Sequence, residues 1–262
     1  MKTITIGTLK GGTGKSSTVF NLAGLLAEKH RVLLIDCDPQ TNLSLNVGVD
    51  ITENDVPTVK HIFDENATAE DVIFKTPIKE LPNIDLIPSC IKLTATELQM
   101  VSRAGRENLL QNFFLDNKKS LSIYDYVLID TNPSMGIVNQ NAFLVADSIV
   151  LVSDVSLNGI QGAELFLELW GGTRRNLRKE DNVRALILNN FDKRLKLSGE
   201  LAEYCNDHES MKDIVLKTVI PNSVQLKNTE MEHLPINLIH KNSGVHKAYQ
   251  NIIQELTERG VL

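Results

Sequence analysis

Only three cysteines occur in the 262 residues, Cys37, Cys90 and Cys205, and they are scattered and odd in number. That excludes a disulfide framework and fits a reducing compartment. Basic residues are not in excess: the net charge is −6, so the chain is no uniformly basic nucleic-acid binder and any DNA contact must come from a local patch. No apolar run approaches the roughly 20 residues that span a bilayer. The opening stretch, MKTITIGTL, is too short and too alternating for a signal peptide, and Gly11-Gly12 ends it. Internal repeats, low-complexity tracts and long linkers are missing too. The sequence therefore reads as a cytoplasmic protein with one domain over residues 1–262, long enough to bury a full core. With 42% apolar residues, 23% charged and few aromatics, its composition is that of an ordinary globular chain.

What is present alternates. Ile4-Thr5-Ile6-Gly7-Thr8-Leu9 reads as a first strand, and Ser16 to Lys29 keeps helical spacing through Val19, Leu22, Ala23 and Leu26. Short apolar strands follow at Val32–Ile35, Ile84–Ile87, Tyr126–Ile129, Ile149–Val152 and Ala185–Leu188. Several are apolar throughout, as strands covered on both faces must be. Helical patterns fill the gaps, for instance Ala163 to Trp170 and Ala248 to Glu258. Strand-then-helix order predicts an α/β fold with a single doubly wound, mostly parallel sheet.

Charge is uneven. Acidic residues predominate between Asp50 and Glu80, whereas Arg174, Arg175, Arg178, Lys179, Arg184, Lys193, Arg194 and Lys196 outnumber the acids between Gly171 and Gly199. Such a basic stretch is either a solvated face or a contact for an anionic partner.

Between the first strand and the first helix lies Lys10-Gly11-Gly12-Thr13-Gly14-Lys15-Ser16-Ser17. Closely spaced glycines let backbone N–H groups turn inward around phosphate oxygens, and the helix that follows presents its positive end to the same anion. Lys15 can reach β- and γ-phosphates, and the Ser16 hydroxyl can ligate Mg²⁺. The strict phosphate-loop pattern has glycine where this chain has Leu9, so the match is to a variant loop with Lys10 as an added cation.

Asp36 and Asp38 follow an apolar strand where parallel sheets open onto their ligands. Two apart in an extended segment, they are expected to point the same way. One could hold the water shell of the metal while the other orients the attacking water. Asp130, after Tyr126–Ile129, suits a water-mediated Mg²⁺ contact.

KGGTGKSS, LLIDCDPQTNLS and YDYVLIDTNPS, taken together, resemble the deviant-Walker-A ATPases, and within them the ParA-type plasmid and chromosome partition ATPases. VADSIVLVSD and VIPNSVQLKNTE extend the likeness over nearly the whole chain. The resemblance implies a P-loop nucleoside triphosphatase using ATP and Mg²⁺, with Lys10, Lys15 and Asp38 as catalytic residues. Lys10 matches the signature lysine that crosses an ATP-sandwich homodimer. Asp38 matches the acid that positions water, Asp36 its metal-side neighbour, Asp130 the Walker B acid and Thr131-Asn132-Pro133-Ser134 a switch segment. Asn189 and the stretch from Pro221 through Ser223 to Leu226 fall where the family contacts the base.

It further implies a slow switch whose ATP-bound dimer binds DNA without sequence preference, associates with the nucleoid and is discharged by a centromere-binding, ParB-type partner. The loop's early position resembles the short form without an N-terminal helix-turn-helix. Arg194 matches a basic DNA-contact position, but Asn222 and Gln225 stand where many relatives carry arginine, leaving Lys227 nearby. Arg174, Arg175 and Lys196 complete the candidate DNA contacts.

Rival readings predict different features. A MinD-like membrane-cycling ATPase would end in a basic amphipathic helix, whereas here Glu255 and Glu258 oppose anionic lipid. An iron–sulfur carrier related to nitrogenase iron protein needs gathered thiolates, and Cys205 with His208 falls short of a zinc set. A small-substrate ATP-dependent enzyme on the same fold would need its own acceptor pocket.

Overall fold

Residues 1–51 and 56–262 are described by a computed structural model, so Glu53 and Asp55 of the acidic stretch lie outside the described residues. Among the described residues seven strands form one sheet: β1 (Lys2–Gly7), β2 (Val32–Cys37), β3 (Phe74–Lys75), β4 (Ile84–Ile87), β5 (Tyr126–Thr131), β6 (Ser148–Asp154) and β7 (Val183–Asn189). Their order is β3-β4-β2-β5-β1-β6-β7, parallel except for the short edge strand β3.

The helices are α1 (Lys15–Leu26), α2 (Asn42–Asn46), α3 (Val59–Phe63), α4 (Ala69–Val72), α5 (Leu93–Met100), α6 (Leu109–Asp116), α7 (Lys118–Leu121) and α8 (Ile137–Val145). They continue with α9 (Leu157–Asn176), α10 (Lys196–Asp207), α11 (Val224–Glu232), α12 (Ile236–Ile239) and α13 (Gly244–Glu258).

Successive side chains on a strand face opposite ways, which explains the unbroken apolar runs. In β2, Val32 and Leu34 pack on one layer with Val19 and Phe20 of α1 and Tyr249 and Ile252 of α13. Leu33 and Ile35 pack on the other, with Phe63, Leu110 and Phe113. Each such fully buried side chain contributes about 1.5–3 kcal/mol. A third cluster, under β6 and β7, joins Phe143, Phe166, Trp170 and Leu201.

Boundaries differ from the sequence expectation where packing overrides pattern. β1 stops at Gly7 rather than Leu9, because Leu9 leaves the sheet to pack on the third cluster. The first helix ends at Leu26, before a turn. α9 and α13 start earlier than their apolar repeats suggest. Ser156 and Ser243 cap them, accepting hydrogen bonds from the backbone N–H groups of Gly159 and His246. The apolar face of α13 packs on the core through Val245, Tyr249, Ile252 and Leu256. Among the described residues no helix is long and apolar enough to cross a membrane.

Candidate functional site

Parallel strands deliver their last residues to one edge of the sheet. Register pairs Asp130 with Asp36 on one side and with Ile6 on the other, and pairs Asp154 with Asn189. The loop leaving β1 therefore lies between acids on β2 and β5 and polar groups on β6 and β7.

Two glycines shape that loop. Gly12 has φ 76° and Gly14 φ 85°, a region that residues with a Cβ rarely adopt. Gly14 is also the residue before α1, and a Cβ there would strike the Asn189 amide. Asn189 Nδ2 instead donates to the Thr13 carbonyl at 2.7 Å, tying β7 to the loop.

Around the loop, polarity exceeds what the protein satisfies. Thr13 Oγ1, Ser17 Oγ, Asn189 Oδ1 and Asp130 Oδ2 are buried without hydrogen-bond partners. Each such group costs about 1–3 kcal/mol, so four in one place mark a site built for a polar ligand. Lys15 is only 7% exposed. A cavity of about 450 Å³ opens here, walled by Gly11–Ser17, Asp38, Gln40, Asn42, Asn46, Pro133 and Glu230. That is the size of a small-molecule cleft.

The paired aspartates separate, which corrects the expectation that both face the ligand. Asp38 reaches the cavity, and its Oδ1 accepts from Gln40 N at 2.9 Å. Asp36 is fully enclosed behind it. Asp36 Oδ1 accepts from Asp38 N at 3.0 Å, and Oδ2 accepts from Ser44 N at 2.9 Å and Ser44 Oγ at 2.7 Å. Asp36 therefore anchors the turn that aims Asp38. The strand ends at Cys37 and Asp38 opens the turn that follows, so the two-residue rule for extended backbone no longer applies.

Burial, then repulsion from Asp130, holds the Asp36 carboxyl above the usual carboxylate range. Burial raises Asp130 as well, while Lys15 and the Ser16 hydroxyl pull it back and Asp38 pushes it up. Among the described residues no three His, Cys, Asp or Glu gather as a metal cage. A divalent ion would take Ser16, the unpartnered Asp130 oxygen and ligand phosphates, the set Mg²⁺ favours.

This pair carries a pH dependence. Unfolded aspartates titrate near ~3.9. Above that, the unfolded chain has shed protons that the folded chain retains on Asp36 and Asp130, so stability falls as pH rises from about 4 toward neutral. Asp192, lowered by Arg194 to about 2, acts in the opposite sense only at more acid pH. Urea unfolding of the ligand-free chain is expected to give a higher midpoint at pH 5 than at pH 7.5. Asp130→Asn, which keeps an oxygen for the Thr131 N–H, should flatten that difference.

Other expected positions scatter. Lys10 lies outside the cavity wall, on β6's side of the loop, paired with Asp154. Pro221 bridges to Phe191 and Ser223 caps α11, but neither lines the cavity. Cys37 is buried, its thiol pushed up by burial and then by Asp36, so it is packing rather than a thiolate ligand. Cys205 turns into the core while His208 pairs with Ser210 and Glu164 at the surface.

The basic stretch, continuous in sequence, is split in space. Arg174 and Arg175 end α9, ahead of β7, whereas Arg194 and Lys196 follow it. Seven strand residues separate the groups by about 20 Å. Arg174 pairs with Asp181, Arg194 with Asp192 and Lys196 with Glu200, all at the surface. Lys227, exposed on α11, follows the Pro221 bridge and belongs to the same end as Arg194.

Sequence reasoning passed over Gln40 and Asn42, although both lie in the segment directly after Asp38. Nothing local marks Glu230, which arrives from a distant helix; Asp154 was also passed over, although it ends an apolar strand just as Asp130 does.

Comparisons with known proteins find relatives over nearly the whole chain. The model of a family described as an AAA domain (AAA_31) matches residues 1–184. The chain is similar to the sporulation initiation inhibitor protein Soj of Bacillus subtilis, 30% identical over 260 residues and 99% of each chain. It is likewise similar to the chromosome partitioning protein ParA of Caulobacter vibrioides, 29% identical over 99% of this chain and 95% of that one. Among solved structures, a putative plasmid partition protein of Borrelia burgdorferi bound to AMPPNP aligns with a TM-score of 0.79. It is 26% identical and covers 98% of this chain and 99% of that one.

Proposed function

This chain belongs to the AAA domain family and is a ParA- and Soj-type homologue along nearly its whole length, and from that premise we propose that it is an ATP-hydrolysing, self-associating switch that partitions DNA. One observation carries the reading: Lys15 and Asp38 line one cavity floored by the glycine loop, and Asp130, electrostatically linked to both, is buried nearby with one oxygen unpartnered.

Backbone N–H groups of Gly11–Ser17 and the start of α1 would cradle the phosphates, and Lys15 would neutralise the β/γ charge. Ser16 and Asp130 would hold Mg²⁺, which supplies charge neutralisation for the transferring phosphoryl group. Asp38 would orient the attacking water and take up its proton. Lys10 would act on the nucleotide of a second copy, so full activity requires a dimer. Intrinsic turnover would be slow, leaving control to a ParB-type partner.

For DNA, Arg194, Lys196 and Lys227 favour the end of the sheet that holds the cavity, where the nucleotide state could govern them, and a dimer doubles that patch. Association with DNA would carry the protein to the nucleoid. The decisive experiment compares ATP with ADP on purified protein, reading self-association and retention of unrelated DNA duplexes together. ATP should promote both; a chain that binds ATP yet does neither is not such a switch. Arg194→Glu should weaken DNA retention and lower the salt slope by about one phosphate contact per subunit. Charge reversal at Arg174, at the far end of β7, should do less.

A further inference from the structure

Lys10, the cation assigned above to a partner's nucleotide, is fully engaged within its own chain. Its Nζ donates to both Asp154 oxygens, at 2.8 and 2.7 Å, and to Ser156 Oγ at 3.0 Å. Those three acceptors match the three donors of an ammonium group. The pair is partly withdrawn from water, with side chains 30% and 18% exposed.

The surroundings hold this arrangement in shape. Asp154 is the last residue of β6, and Ser156 caps α9. Lys10 N donates to Thr8 Oγ1 at 3.2 Å. The stem of Lys10 lies beside Gly162, where an added Cβ would meet the Lys10 Cβ at 3.4 Å. Gly159 packs so closely on Asp154 that a Cβ would strike its carboxylate. Asp154 thus sits in a slot made by strand end and helix start, on the opposite side of the loop from Asp38. Nothing else in the described residues holds its side chain: its carboxylate bonds only to Lys10.

We propose that Asp154 is a positioning residue that, with Ser156, parks Lys10 away from the dimer face and sets the threshold for self-association. An ammonium group bound to three oxygens must exchange them for phosphate oxygens before it can cross to a partner. The nucleotides of the dimer must therefore outcompete Asp154, and weakening the parking site favours the dimer. The inference rests on the nucleotide-sandwich reading.

The test uses the full chain with AMPPNP and Mg²⁺, measuring dimer formation by sedimentation velocity across protein concentration. Asp154→Asn keeps the shape and one acceptor oxygen while removing the charge, and is expected to dimerise at several-fold lower protein concentration. Its monomer affinity for a fluorescent ATP analogue should be unchanged, which a merely structural role would not spare. Lys10→Ala should weaken the dimer, and the double variant should behave as Lys10→Ala.

Asp154→Asn with native or weaker dimerisation, alongside a weakened Lys10→Ala, overturns the parking site and leaves the sandwich standing. A gain that survives in the double variant also overturns it, because the effect would not pass through Lys10. Native dimerisation of Lys10→Ala removes the sandwich reading itself. Should Asp154→Asn melt well below the native chain, Asp154→Ala read on the same axes decides between the same outcomes.

Discussion

Lys15→Ala is expected to weaken ATP binding by at least ~100-fold, a loss of about 2.7 kcal/mol. Lys15 is buried at the first position of α1, between the glycine loop and Asp130. A charge-assisted hydrogen bond is worth about 1.5–3 kcal/mol net, and the low exposure of this lysine favours the upper end. Its loss also removes the main cation holding Asp130 down, so the aspartate moves further toward its neutral form and becomes a poorer metal ligand. Fold should not be the casualty, since among the described residues no hydrogen bond depends on the ammonium. Titration with a fluorescent ATP analogue, alongside a melting curve of the ligand-free variant, checks both statements. Native affinity would remove the phosphate-loop assignment.

Asp38→Ala should separate binding from chemistry. Asp38 is 4% exposed and lines the cavity, with one carboxylate oxygen oriented by the Gln40 N–H. Positioned general bases contribute about 10²–10⁴-fold, and that is the expected fall in single-turnover hydrolysis. Nucleotide affinity should stay within a few-fold of native, because the loop and Lys15 are untouched. The turn should also survive: Asp36 still accepts from the backbone N–H of residue 38 and from Ser44. Uncleaved ATP would then accumulate on a self-associated form. Rapid-quench measurement of bound nucleotide settles the matter, and unchanged turnover would take Asp38 out of its role.

Much of the architecture was legible because it is written in short-range patterns. Val32–Ile35 and Tyr126–Ile129 had to be covered on both faces, and they became central strands. The two-residue strand β3 left no trace, since Phe74 and Lys75 earn their pairing only from β4. Helices α3 to α7 escaped for a similar reason: segments of four to eight residues carry too few turns for a period to emerge.

Within the site the division is equally physical. Gly12, Gly14, Lys15 and Ser16 are neighbours in sequence, so their shared work can be read from a string of letters. Asp36 and Asp38 looked equivalent there, but a turn at the strand end aimed one outward and enclosed the other. The basic stretch looked continuous until β7 divided it.

The strand–loop–helix shape around Gly12 and Gly14 was determined by sequence alone, because glycine spacing, helix start and lysine all act within a few residues of one another. Tertiary structure alone decided that Glu230 joins the cavity wall, that Asn189 braces Thr13 and that Lys10 rests on Asp154. Those contacts join residues more than a hundred positions apart, and the sheet, by bringing the carboxyl ends of its parallel strands to one edge, makes them neighbours.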